Sequence, residues 1–137
     1  MNLVFADTFY WIALSNPRDA YHQRALEFSN TLAASVIVTT DEVLTEFLDF
    51  CAFDSQFRME AVLVVQYLLT EPQVRVVPQS RASFLAGLEL YRSRPDKGYS
   101  LTDCISMQTM RRESILVALT NDRHFQQEGF RAAFRES

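Results

Sequence analysis

The chain has 137 residues, a length that fits one domain, and 48% of them are hydrophobic. With only three Gly and four Pro, that composition excludes a disordered chain or a linker. A formal net charge of −4, from 17 acids against 13 bases, argues against a nucleic-acid binder of the strongly basic kind.

Short apolar runs alternate with helical patterns along the chain. Asn2–Ala6 reads as a strand, followed by helices over Thr8–Leu14 and Asp19–Ala34 with Pro17 between them. Val36–Thr39 is a β-branched strand, and Asp41–Cys51 and Ser55–Thr70 are helical. Val74–Val77 is a strand closed by Pro78, and Ser80–Ser93 and Thr102–Arg112 are helices. Ile115–Leu119 is a strand, Arg123–Glu128 a short helix, and Phe130–Phe134 a last edge strand. Such β-α-β-α alternation predicts a parallel sheet with helices on both faces. Its working site then lies beyond the C-terminal ends of the strands.

No apolar run approaches the roughly 18 residues of a membrane span. Asp7 interrupts the apolar N-terminus, which lacks a basic leader region, so no signal peptide is expected. Cys51 and Cys104 stand far apart without Cys-x-x-Cys spacing, which reads as two free thiols in a reducing cytoplasm. No repeat or Pro/Gly-rich linker divides the chain, so residues 1–137 are expected to form one domain.

Four acids stand out by position. Asp7 directly follows the first strand and Asp122 the fourth, and either could be a helix N-cap. Glu46 flanks the helical stripe Val43, Leu44, Phe47, Phe50 and Cys51, whereas Glu42 and Asp49 fall on the opposite face. Asp103 shares a helix face with Met107 and Met110, although Ser100 and Asp103 also have capping-box spacing. A carboxylate on an apolar face needs a partner or a metal. Several carboxylates at one sheet edge repel each other unless a cation neutralises them. Oxygen ligands without His or Cys suit Mg²⁺ or Mn²⁺.

The segments Val4-Phe5-Ala6-Asp7-Thr8-Phe9-Tyr10-Trp11, Thr40 to Glu46, Ser100-Leu101-Thr102-Asp103-Cys104-Ile105-Ser106 and Ala118-Leu119-Thr120-Asn121-Asp122-Arg123-His124-Phe125 together resemble a PIN domain of the VapC toxin type. Their order and spacing match across nearly the whole chain. The resemblance implies a three-layer α/β/α sandwich with a central parallel sheet. It also implies Mg²⁺- or Mn²⁺-dependent endoribonuclease activity in the cytoplasm. Asp7, Glu46, Asp103 and Asp122 match the family's acidic cluster, with Asp122 at its most variable position, and Thr8 and Thr120 match neighbouring hydroxyls. Implied partners are an RNA substrate, a small VapB-like antitoxin that fills the site groove, and a second copy in a homodimer. Apolar residues of the first helix (Phe9, Tyr10, Trp11) and of Ser55–Thr70 offer surface for them, although core packing accounts for most.

A metal held this way would activate water for in-line attack on the phosphodiester, leaving 5′-phosphate and 3′-hydroxyl ends. Asp103 could help deprotonate that water. Residues 1–74 hold ten acids and three Arg, whereas residues 75–137 hold seven acids, nine Arg and one Lys. Arg111, Arg112 and Arg123 of the basic half are expected to hold flanking phosphates.

Other readings fit less well. A receiver domain needs a Lys at a late strand end, and Lys97 lies in a loop. A haloacid-dehalogenase-like site needs Asp-x-Asp after the first strand, where Asp7-Thr8-Phe9 stands. His22 and His124 have no nucleophile spacing, and with Cys51 and Cys104 they make no zinc motif, His124 reading as a helix-start residue. The alternatives that remain are a non-catalytic PIN-like module that binds RNA or a protein, and a nuclease acting generally on single strands.

Overall fold

The computed structural model describes residues 2–136. In chain order the elements are β1 (Asn2–Ala6), α1 (Thr8–Ser15), α2 (His22–Thr31), β2 (Ser35–Thr40), α3 (Asp41–Phe50), α4 (Ser55–Thr70), β3 (Val74–Val77), α5 (Arg81–Ser93), α6 (Leu101–Arg112), β4 (Val117–Leu119), α7 (Arg123–Gln127) and β5 (Arg131–Ala132). Short 3₁₀ turns cover Cys51–Phe53 and Ala133–Arg135.

All five strands are parallel, in the order β3-β2-β1-β4-β5, with helices flanking the sheet as expected. The chain leaves β1 toward β2 and β3, then returns to the other side for β4 and β5. The order therefore reverses at β1, and a crevice opens beyond the C-terminal ends of β1 and β4. The residues just past those ends are Asp7 and Thr120–Asp122.

The core seats this edge. Phe5, Tyr10, Trp11, Phe47, Met107, Met110 and Phe125 are essentially inaccessible. Trp11 Nε1 donates to Thr39 Oγ1 at 3.3 Å, and that hydroxyl donates to the Ala6 carbonyl at 2.9 Å. One buried chain of bonds thus ties α1, β2 and the end of β1 together at the residue before Asp7.

Beyond shifts of one residue, four element boundaries differ from expectation, each for an identifiable reason. The second helix starts at His22 because Asp19 Oδ1 accepts from the Tyr21 amide (2.8 Å), an Asx turn in competition with helix. The same helix ends at Thr31, where the Ser29 and Thr31 hydroxyls bond back to the carbonyls of Leu26 and Phe28. Residues 115–116 precede β4 rather than belonging to it. Ser114, at φ 57, closes α6 with a Schellman pair, Ile115 N–H to Met110 O and Ser114 N–H to Arg111 O. The last strand is only Arg131–Ala132, because the chain then turns to bury Phe134 among Phe9, Tyr21 and Phe28. The apolar stripe of α3 also stops short: Val43, Leu44 and Phe47 are buried, but Phe50 is 54% exposed where the helix ends.

Among the described residues, no helix is long and apolar enough to cross a membrane. Cys51 and Cys104 are free and buried.

Gly87 lets α5 lie against α6. A Cβ there would overlap the Ile105 side chain and stand 3.2 Å from the Ile105 backbone N and Cα. Gly87→Ala gains about 1 kcal/mol of helix propensity but incurs roughly 1–3 kcal/mol of overpacking against backbone. Thermal unfolding should therefore show a net loss. An unchanged or raised melting temperature contradicts this packing.

Candidate active site

The cleft beyond β1 and β4 is lined by Asp7, Thr8, Phe9, Glu46, Ser100, Asp103, Thr120, Asn121 and Asp122. All four singled-out carboxylates meet there, with both threonines. Among these lining residues none is basic.

Each carboxylate is held in its own way. Asp7 occupies the N-cap position of α1 but does not cap it. Instead its Oδ2 accepts from Thr120 Oγ1 at 2.8 Å, across the β1–β4 join. Thr120 Oγ1 also accepts from the Asp122 amide at 3.2 Å, so one hydroxyl spans two of the acids. Thr8 Oγ1 donates to Glu46 Oε1, which binds the start of α1 to the middle of α3. Ser100 caps α6 by accepting from the Asp103 amide at 3.0 Å. Asp103 and Asp122 therefore satisfy both readings of their positions. Ser100 closes the helix while the Asp103 carboxylate faces the cleft. Asp122 Oδ1 caps α7 through the His124 amide (2.9 Å) and still lines the cleft.

Crowding shows in the ionisation of the site. Burial, the charge of Asp103 and that of Glu46 push the Asp7 carboxyl up to about 7, against a lowering by Thr120 and the Thr8 backbone. Burial, then Asp122 and Glu46, push Asp103 up to about 6. A divalent cation is the group that this donor set fits: hard carboxylate oxygens, two of them held against ionisation, with no Lys or Arg lining the cleft.

The three arginines expected at phosphates do not line this cleft. Arg111 bonds Glu128, whose side chain is 4% exposed, and Arg94 pairs with the same carboxylate at 2.7 Å. Burial alone would raise the Glu128 carboxyl, but the two guanidiniums outweigh it and hold it below its ordinary value. Arg112 lies 3.9 Å from Glu113, and Arg123 is an exposed first residue of α7. Arg111 is thus turned to joining α6 to the segment after α7.

The residue that sequence reasoning set aside is His124. Its Nδ1 lies 3.4 Å from Asp122 Oδ1 and 3.8 Å from Asp103 Oδ2. No spacing motif signals it, because Asp103 comes from a different helix.

No protein-family model matches the chain, and no curated protein matches it in sequence. Solved structures do. VapC20 from Mycobacterium tuberculosis, a sarcin–ricin loop cleaving toxin, aligns with TM-score 0.84 and 26% identity over 93% of this chain and 95% of its own. FitAcB from Neisseria gonorrhoeae aligns with TM-score 0.66 and 14% identity, over 94% of this chain and 95% of that one. VapBC2 from Rickettsia felis, bound to a DNA fragment from its promoter, aligns with TM-score 0.67 and 15% identity, over 95% and 96%. A five-stranded parallel sheet shared with these structures, carrying an acidic cleft at its C-terminal edge, defines a PIN domain. Within that fold the chain is similar to VapC20 in sequence as well as in structure, at 26% identity.

Both raised carboxyls bind protons more tightly folded than unfolded. Their stabilising contribution is present below the ordinary value of 3.8 and is lost as pH rises through about 6 and 7. In a chelator, melting temperature should fall as pH rises from about 4 to 8. Asp7→Asn should remove most of that fall and stabilise the protein at pH 8 by up to about 4 kcal/mol. A variant less stable than the parent at pH 8 would contradict a buried, repelled Asp7.

Proposed function

We propose that the protein is a divalent-metal-dependent endoribonuclease acting as the toxin of a toxin–antitoxin pair. The observation that carries this reading is the convergence of Asp7, Glu46, Asp103 and Asp122 on one cleft without a basic counter-charge. A module that only bound RNA would gain nothing from such a cluster, which repels phosphates until a cation enters.

Asp7, Glu46, Asp103 and Asp122 would hold one or two Mg²⁺ or Mn²⁺ ions, which supply Lewis acidity toward water and phosphate. Thr120 fixes Asp7, and Thr8 fixes Glu46, so two ligands are held in place before an ion binds. Asp103, pushed up to about 6, is suited to accept the proton of the attacking water. With no Ser or Cys nucleophile lining the metal-ligand end beyond the helix cap Ser100, attack by water is the economical route. Arg123, exposed beside the cleft's Asp122, is the one of the three expected phosphate contacts that stays free of an ion pair among the described residues.

VapC20, a sarcin–ricin loop cleaving toxin, supplies a substrate to test. An antitoxin has a place to bind. A groove of about 350 Å³ runs between α1, α3 and α4, lined by Ile12, Phe47, Phe50, Phe53, Phe57 and Val64. Phe53 is 77% exposed there, an arrangement that suits an apolar partner segment. The exposed face of α5, with Leu85, Leu88 and Tyr91, offers a separate surface for a second copy. The free, buried thiols fit a protein of the reducing cytoplasm.

Purified protein with Mn²⁺ should cleave an RNA stem-loop carrying the sarcin–ricin sequence and leave the DNA counterpart intact. Asp7→Ala and Asp103→Ala should each lower the rate by about 10²-fold or more, the range for loss of a metal ligand or its polarised water. Variants that cleave as fast as the parent would overturn the reading, and equal cleavage of DNA would replace it with a general single-strand nuclease.

A further inference from the structure

We infer that the cation site is a mixed carboxylate–imidazole one, in which His124 Nδ1 joins Asp103 and Asp122 as a ligand and favours Mn²⁺ over Mg²⁺. The inference rests on the metal-dependent reading above and adds to it a nitrogen donor that the acidic cluster does not contain.

Three observations carry it. First, one donor atom from each of Asp103, Asp122 and His124 lies within 4.8 Å of the other two. Second, Nδ1 is buried and has no hydrogen-bond partner. Buried polar atoms are nearly always satisfied, so an orphan beside two carboxylates needs an account. At 3.4 and 3.8 Å the Asp122 and Asp103 carboxylate oxygens stand beyond good N–H···O distance. They stand where ligands of one ion stand: with bonds of about 2.0–2.2 Å, neighbouring donors fall roughly 3.0–3.5 Å apart and opposed ones about 4.2 Å.

Third, the ring is fixed in this orientation. Tyr99 packs against it with centroids 5.2 Å apart, and Tyr99 is itself 4% exposed. The Tyr99 hydroxyl donates to Glu128 Oε1 at 3.2 Å, and Arg94 and Arg111 pair with that same carboxylate. On the backbone side, the His124 amide is held by Asp122 Oδ1. Packing and a backbone bond here do the orienting that a hydrogen bond on the second ring nitrogen does in many metal-ligating histidines.

The consequence is selectivity. Mg²⁺ prefers oxygen ligands and retains its waters, whereas first-row transition ions gain from an imidazole nitrogen. Removing His124 should therefore weaken Mn²⁺ more than Mg²⁺.

The test titrates the full chain with MnCl₂ and, separately, MgCl₂ by calorimetry, for the parent, His124→Ala and His124→Gln. Thermal unfolding in chelator establishes that each variant is folded. Mn²⁺ affinity should fall about tenfold or more in His124→Ala, with Mg²⁺ affinity changed by less than about threefold. The spin-echo spectrum of the Mn²⁺-loaded parent should show coupling to an imidazole nitrogen, and both variants should lack it. Equal weakening of both ions, or no nitrogen coupling in the parent, would overturn the inference and leave His124 a packing residue. A parent that binds neither ion would instead overturn the metal-dependent reading itself, an outcome distinct from the other two.

Discussion

Four carboxyl groups crowd the C-terminal edge of a parallel sheet, and no Lys or Arg lines the cleft with them. Repulsion among them is the constraint on which the rest of the site depends. It is visible in Asp7 and Asp103, both held against ionisation by burial and by each other's neighbours. A fold keeps such a cluster only if the surrounding structure holds each group in place, because stability favours its removal. Here the holding is done by hydroxyls. Thr120 bridges Asp7 and the Asp122 backbone, Thr8 binds Glu46, and Ser100 fixes the helix that presents Asp103.

Behind the hydroxyls lies a second layer, and it changes the meaning of the arginines. An Arg-rich half of the chain near two site acids suggests phosphate binding. The structure puts Arg94 and Arg111 on Glu128, a carboxylate almost wholly removed from solvent. Leaving such a group unpaired would be costly, so the two guanidiniums are committed to it. Their yield is position: Glu128 anchors Tyr99, Tyr99 packs on His124, and His124 faces Asp103 and Asp122. Two bases of residues 75–137, Arg94 and Arg111, are therefore part of the scaffold behind the acidic cleft.

Much of the fold was legible in the residues. Ser55–Thr70 and Val74–Val77 coincide with their expected bounds, because a long apolar period and a closing Pro78 are local signals. Convergence of the four acids was legible as well: Asp7 and Asp122 follow parallel strands, and such strands present their ends to one edge. What local pattern could not carry was anything set by a distant partner. Phe134 leaves the last strand to join Phe9, Tyr21 and Phe28. The pairing of Arg111 with Glu128 is one of these, because Glu128 is in reach only once α6 and the segment after α7 pack together. His124 was passed over for the same reason, since half of its surroundings come from Asp103 and Tyr99.

The central claim is that this cleft cuts RNA with metal-activated water and not with the substrate's own 2′-hydroxyl. Analysis of the ends of RNA cleaved by the purified protein in Mn²⁺ tests it most directly. The account predicts 5′-phosphate and 3′-hydroxyl termini. A 2′,3′-cyclic phosphate paired with a 5′-hydroxyl would contradict it.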